Sequence, residues 1–304
     1  MKKNVLLTGG TGFIGKKLTQ LLLENGFSVS ILSRSAKNNT DTISYYKWDV
    51  EAGTIDEKAL LQADYVIHLA GENIGVGRWT ASRKKAILNS REQSTQLLYS
   101  ALVNTNKKLN AFISASGVGI YGAINDEKVC SETTIAASDF LGEVCQSWEG
   151  AATPIYDLGI RTVFIRTGLV LGKEDGVLKQ LLPVFQLRLG SAIGTGNQYM
   201  PWIHIDDLCR IYLHVILNSE LEGAYNAAVN DGTTNTIFSK TLAKVLGYTL
   251  WLPNIPSFLI QFILGEMAQL VLKGRRVTSD KIERTGFQFQ FTDLERALRN
   301  CLQL

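Results

Sequence analysis

Asn4-Val5-Leu6-Leu7-Thr8-Gly9-Gly10-Thr11-Gly12-Phe13-Ile14-Gly15 is an apolar run of strand character that breaks into three spaced glycines. A helical pattern over 15–25 follows, with Leu18, Leu21 and Leu22 on one face and Gly26 as its stop. A Gly-x-x-Gly-x-x-Gly spacing carries weight in this context because each glycine has a job. Gly9 takes the tight turn, Gly12 lets backbone approach a pyrophosphate, and Gly15 allows close packing of helix on strand. The helix N-terminus adds free N–H groups and the positive end of its dipole, which favour phosphate. A dinucleotide is therefore expected on Thr8, Gly9, Gly10, Thr11, Gly12, Phe13, Ile14 and Gly15.

Outward from this turn the chain alternates strand and helix. Apolar runs at 4–8, 28–33, 44–48, 65–69, 111–114 and 161–166 read as strands covered on both faces. Between them, 80–104 reads as a long helix with Thr80 or Ser82 as cap, and 138–157 as one that kinks or restarts near Pro154. Such alternation implies an α/β, Rossmann-type doubly wound parallel sheet with right-handed crossovers. After Gly172 the pattern loosens. The expected division is a dinucleotide-binding domain over 1–172 and a smaller C-terminal α/β substrate or lid domain over 173–304, with part of 203–230 returning to the first. Gly194-Thr195-Gly196-Asn197 is expected as a mobile loop beside the cleft.

The residues after the second strand bear on the cofactor. NAD binders usually carry an acid there for the ribose 2′-hydroxyl. Here the strand ends Leu32-Ser33-Arg34-Ser35. Arg34 can grip a 2′-phosphate, with Ser33 and Ser35 as donors, so NADP is expected over NAD. Asp49 and Val50 should lie beside the adenine, and Leu69, Ala70 and Gly71 should leave backbone room for the cofactor.

Composition narrows the class. Of 304 residues 31 are basic and 28 acidic, a net charge of +3 with no basic run, which argues against nucleic acid. Cys130, Cys145, Cys209 and Cys301 show no metal spacing and read as free thiols of a reducing cytoplasm. No metal site is expected, and no secretory signal or membrane span. The segment 251–272 is rich in Leu, Ile and Phe but broken by Pro253 and Pro256, so it reads as a buried or docking helix.

Several motifs in order, Thr8–Gly15, Leu69-Ala70-Gly71, Ser114-Ala115-Ser116 with Tyr121-Gly122, Arg166-Thr167-Gly168 and Trp202-Ile203-His204, resemble the extended short-chain dehydrogenase/reductases, the sugar-nucleotide epimerase and dehydratase group. Arg78-Trp79-Thr80, Ser90-Arg91 and Phe140-Leu141-Gly142-Glu143-Val144-Cys145 resemble an atypical branch of it, an epimerase family of unassigned reaction with a C-terminal domain of unknown function. The resemblance covers essentially the whole chain. It implies an oxidoreductase or isomerase that is cytoplasmic and able to form an oligomer.

In the typical group a Ser polarises the substrate and a Tyr-x-x-x-Lys pair moves the proton. Ser116, ahead of Ser114, matches the Ser; Phe140 and Val144 align with the pair, so the relay is missing. Tyr121 is the candidate substitute as proton donor. Glu72, Arg78, Arg91 and Trp202 are the candidate substrate contacts, while His204 and Cys145 read as core. The expected function is an NADP-dependent oxidoreductase or epimerase acting on a small polar, sugar-nucleotide-like substrate. The alternative is a non-catalytic NADP-binding sensor or scaffold linked to cell division.

Overall fold

The computed structural model describes residues 2–35 and 38–304. Its strands in chain order are β1 (Asn4–Thr8), β2 (Ser28–Ser33), β3 (Ile43–Asp49), β4 (Thr54–Ile55), β5 (Tyr65–His68), β6 (Ala111–Gly117), β7 (Val129–Cys130), β8 (Thr162–Thr167), β9 (Leu169–Leu171), β10 (Trp202–His204), β11 (Gly223–Ala227) and β12 (Arg276–Val277). The main sheet runs β11-β8-β6-β5-β1-β2-β3-β4, parallel except for the β3–β4 pair. Strand order reverses between β1 and β5, where a doubly wound sheet opens its ligand crevice.

The helices are α1 (Phe13–Glu24), α2 (Lys58–Leu61), α3 (Ala81–Thr105), α4 (Phe140–Ala152), α5 (Val177–Gln186), α6 (Ile205–Leu217), α7 (Asn235–Val245), α8 (Ser257–Leu264), α9 (Gln269–Leu272), α10 (Asp280–Glu283) and α11 (Leu294–Leu302). Strand alternation divides the core between the two faces. Val5, Leu7, Ile67 and Ile113 pack under α1 and α6, through Leu18, Leu22, Leu208 and Ile211. Leu6, Val66 and Phe112 pack under α2 and α3, through Leu60, Leu98 and Leu102. Burial on both faces is why these strands read as unbroken apolar runs.

Local signals hold at the helix ends. Thr80 Oγ1 accepts from Arg83 N at 3.2 Å and caps α3. Helix α4 ends at Ala152, and a 3₁₀ run over Thr153–Leu158 restarts with Pro154 in its first turn. A third core joins α5, α7 and α11 around Leu182, Phe238, Leu242 and Leu298. Asp207, fully buried on α6, fastens the tail to it by accepting from Gln290 N and Phe291 N, at 2.9 Å each.

The 251–272 segment is not one buried helix. It splits into α8 and α9, and no residue of α8 is buried. Phe258, Phe262 and Ile263 face solvent. Among the described residues no helix is long and apolar enough to cross a membrane.

Candidate functional site

The glycine turn is shaped by backbone contact. Gly9 sits at φ +66°, where a side chain is strained, and a Cβ on it would lie 3.0 Å from the Leu69 carbonyl carbon. A Cβ on Gly15 would stand 2.3 Å from Gly9 O, so the helix could not approach. No side chain caps α1, and Thr11 and Gly12 are exposed at its mouth. The open N–H groups suit phosphate.

Thr8 acts from inside the turn. Its buried Oγ1 accepts from Leu69 N and Ala70 N at 3.1 Å each, pinning β5 to β1 across the crevice. The hydroxyl proton then goes to His68 Nδ1, 2.7 Å away. His68 is therefore neutral with its proton on Nε2, facing Ser94 and Thr95 at 3.2 and 3.1 Å. Burial, with the Arg91 charge second, pushes its pKa down to about 3. The sign follows: below about pH 6.5 the unfolded chain takes up a proton that folded His68 refuses, so stability falls as pH drops. The loss should approach about 1.4 kcal/mol per pH unit well below pH 6.5. Urea unfolding near pH 7 and pH 5 should show a shallower fall for His68→Gln than for the wild type. Equal slopes would return acid lability to other groups.

Phe13 packs against Gly172, where a Cβ would collide with its ring. At the end of β2, Arg34 and Ser35 are exposed, and Arg34 has no partner among the described residues. Asp49 accepts from Ala52 N at 3.0 Å, and Val50 packs on the α2–α3 side of the core.

Along the same sheet edge lies a cleft of about 350 Å³, lined by Arg91, Ser116, Leu141, Val144, Cys145 and Trp148 on one side. Tyr199, Leu270, Lys273 and Arg275 line the other. Ser116 Oγ donates to Glu149 Oε1 at 2.7 Å. Glu149 in turn holds Arg166 with both oxygens, at 2.9 and 2.8 Å. Burial opposes the Arg166 charge, but the Glu149 contacts overcome it and raise the guanidinium above its ordinary value.

Several expected roles need correction. Tyr121 is buried outside the cleft lining, with its hydroxyl donating to Asn226 Oδ1 at 2.7 Å and accepting from Arg166 at 3.1 Å. Burial pushes its pKa up to about 12, and its hydroxyl proton is given to Asn226 rather than to the cleft. Trp202 is fully buried in the C-terminal core, its indole N–H given to Asp231 at 2.8 Å, and it reaches no ligand space. Arg78 binds the carbonyls of Phe262 and Ile263 at the end of α8, outside the cleft lining. Glu72 is paired with Arg83 at 2.9 Å, also outside it. Gly194 and Gly196 pack against Ile255 and Thr236, away from the cleft; the C-terminal segments lining it are 199–201 and 270–277. His204 caps α6 by accepting from Asp206 N, as a core histidine does.

Phe140 packs edge-on against Trp79 at 4.8 Å, under Lys84, while Leu141, Val144 and Cys145 line the cleft near Ser116. Leu141, Cys145 and Glu149 recur every fourth residue and so share a face. That spacing was the available signal for Glu149, which the sequence reading missed. Burial pushes the Cys145 thiol up to about 11, so it holds its proton.

A model of the NAD dependent epimerase/dehydratase family matches residues 5–228, and a domain of unknown function, DUF1731, matches 255–301. The chain belongs to the NAD-dependent epimerase/dehydratase family. Within the family it is 36% identical over 300 residues to epimerase family protein YfhF of Bacillus subtilis, covering 98% of each. A structure of human epimerase family protein SDR39U1 with NADPH superposes with a TM-score of 0.88 at 33% identity, over 99% of this chain and 100% of that one. MoeE5 in complex with UDP-glucuronic acid and NAD, at 18% identity and TM-score 0.78 over 99% and 98% of the two chains, shares the fold.

Proposed function

We propose that this chain binds NADP(H) in preference to NAD(H) and uses it to oxidise, reduce or transiently oxidise a small polar substrate in the cleft beside Ser116. One observation carries the reading: an uncapped helix N-terminus behind a glycine turn shares its sheet edge with a cleft that holds a buried Ser and a buried Arg. The human relative crystallised with NADPH supports the cofactor, and unpartnered Arg34 supports the 2′-phosphate. The turn 8–15 would hold the pyrophosphate, Arg34 the 2′-phosphate, and 69–71 would flank the nicotinamide half. The bound dinucleotide supplies a hydride equivalent.

The chain's own groups position the substrate. Ser116 gives its proton to Glu149 and so keeps its lone pairs for a donor on the substrate. Buried thiols without disulfides support a reducing, cytoplasmic setting. The lack of a Tyr–Lys pair on the cleft face of α4 favours a second reading, a binding protein without turnover.

Incubating the protein and NADPH with fractionated small-molecule extract separates the two. A fraction-dependent loss of NADPH fluorescence that Ser116→Ala abolishes supports the enzyme. Tight NADPH binding with no loss in any fraction leaves the binding protein.

A further inference from the structure

The charges lining the cleft have one sign. Arg91, Lys273 and Arg275 face it, and among the described residues no carboxylate lines it. Arg275 is matched by Asp126 at 3.3 Å, and Lys273 is exposed at the rim. Arg91 is neither. Only 8% of it reaches solvent, and it donates to Ile87 O of its own helix at 3.0 Å. Its Nε–H has no acceptor among the described residues. Glu72, an acid acting on it through space, is already engaged by Arg83.

The Arg91 guanidinium lies over the ring of Trp148, 4.7 Å from its centre. Trp148 also lines the cleft, is buried, and carries an indole N–H without an acceptor. Neighbouring buried donors that lack acceptors are costly, and more so where one bears a charge without a counter-charge. Such groups are stable where a ligand completes them, and clefts are where that happens.

We propose that Arg91 is the anion anchor of this cleft, and that the substrate carries a carboxylate or phosphate on a body with an apolar face. The inference rests on the cleft being the substrate site. The acid group accepts from the donors of Arg91 and Trp148, while the apolar face lies against Leu141, Val144 and Leu270. Polar groups of the substrate are left for Ser116.

Calorimetric titration of the NADPH-saturated full chain with benzoate, phenyl phosphate and neutral benzamide tests it. At least one anion should bind roughly tenfold or more tightly than benzamide, as a charge-assisted contact requires; the two anion arms tell carboxylate from phosphate. Arg91→Met should erase the preference. Trp148→Phe, which keeps a ring and removes the N–H, should reduce it severalfold. Arg91→Lys keeps the charge without the planar fork and should reduce it too, which covers a Met variant that fails to fold. Repeating the series without dinucleotide separates this inference from the cofactor reading. Anion preference that depends on Arg91 stands even if NADPH fails to bind. Equal binding of all three probes, binding by neither anion, or a preference untouched in the folded variants overturns it.

Discussion

Arg34→Ala should weaken NADP(H) binding about tenfold while leaving NAD(H) nearly unchanged. The 2′-phosphate brings close to two negative charges to the end of β2. Arg34 stands there exposed and without a partner among the described residues, so no ion pair with them must break before it meets that phosphate. Charge-assisted hydrogen bonds contribute about 1.5–3 kcal/mol, and solvent exposure places this contact at the lower end, roughly a tenfold change in Kd. Raising salt should reproduce part of the loss, because an exposed pair is screened. Titrating both dinucleotides against wild type and variant checks it. Equal wild-type affinities, or a variant that keeps its preference, would falsify the assignment.

A larger effect, on stability, is expected at Glu149. Its carboxylate accepts from Ser116 and twice from Arg166, and both members of the ion pair are mostly buried, with side chains 14% and 10% exposed. Glu149→Gln removes the counter-charge and turns an amide N–H toward a guanidinium that can only donate. Breaking one side of a buried pair costs roughly 3–5 kcal/mol, which in a chain of this size lowers Tm by about 5–10 °C. Replacing both members, Glu149→Leu with Arg166→Met, should recover much of that loss, since no buried charge is then stranded. Ser116 would lose its acceptor in the double variant, where its hydroxyl would be free to donate into the cleft, whereas a Gln amide oxygen can still accept from it. Denaturant unfolding of the three proteins is the measurement. A single-variant cost below about 1 kcal/mol would place the pair with ordinary surface contacts.

Local readings in this chain succeeded where one element contains the whole cause. The turn 8–15 is legible because strand, glycines and helix are consecutive, and the steric demands on Gly9 and Gly15 come from Gly9 O and from Leu69 at the neighbouring strand end. Thr80 caps its helix from the residue before it, and Pro154 restarts one by its missing N–H. The site residues that misled are those whose surroundings come from distant segments. Tyr121 looks free beside Ser116 in the chain, yet its hydroxyl is consumed by Asn226 and Arg166, more than 40 residues away. Arg78 reads as a cleft side chain until α8, from residue 257 onward, takes its guanidinium.

From the sequence alone came the doubly wound parallel sheet, the glycine turn and the absence of a Tyr-x-x-x-Lys relay, because strand periodicity, glycine spacing and residue type are properties of the chain itself. Tertiary structure alone decided which side chains share the cleft. A helix turns about 100° per residue, so on α4 Leu141, Val144 and Cys145 line the cleft while Phe140 packs on Trp79. Whether an arginine is spent or available is likewise a matter of what packs around it: Arg166 meets Glu149 across elements, and Arg91 is buried beside Trp148 and in no ion pair among the described residues.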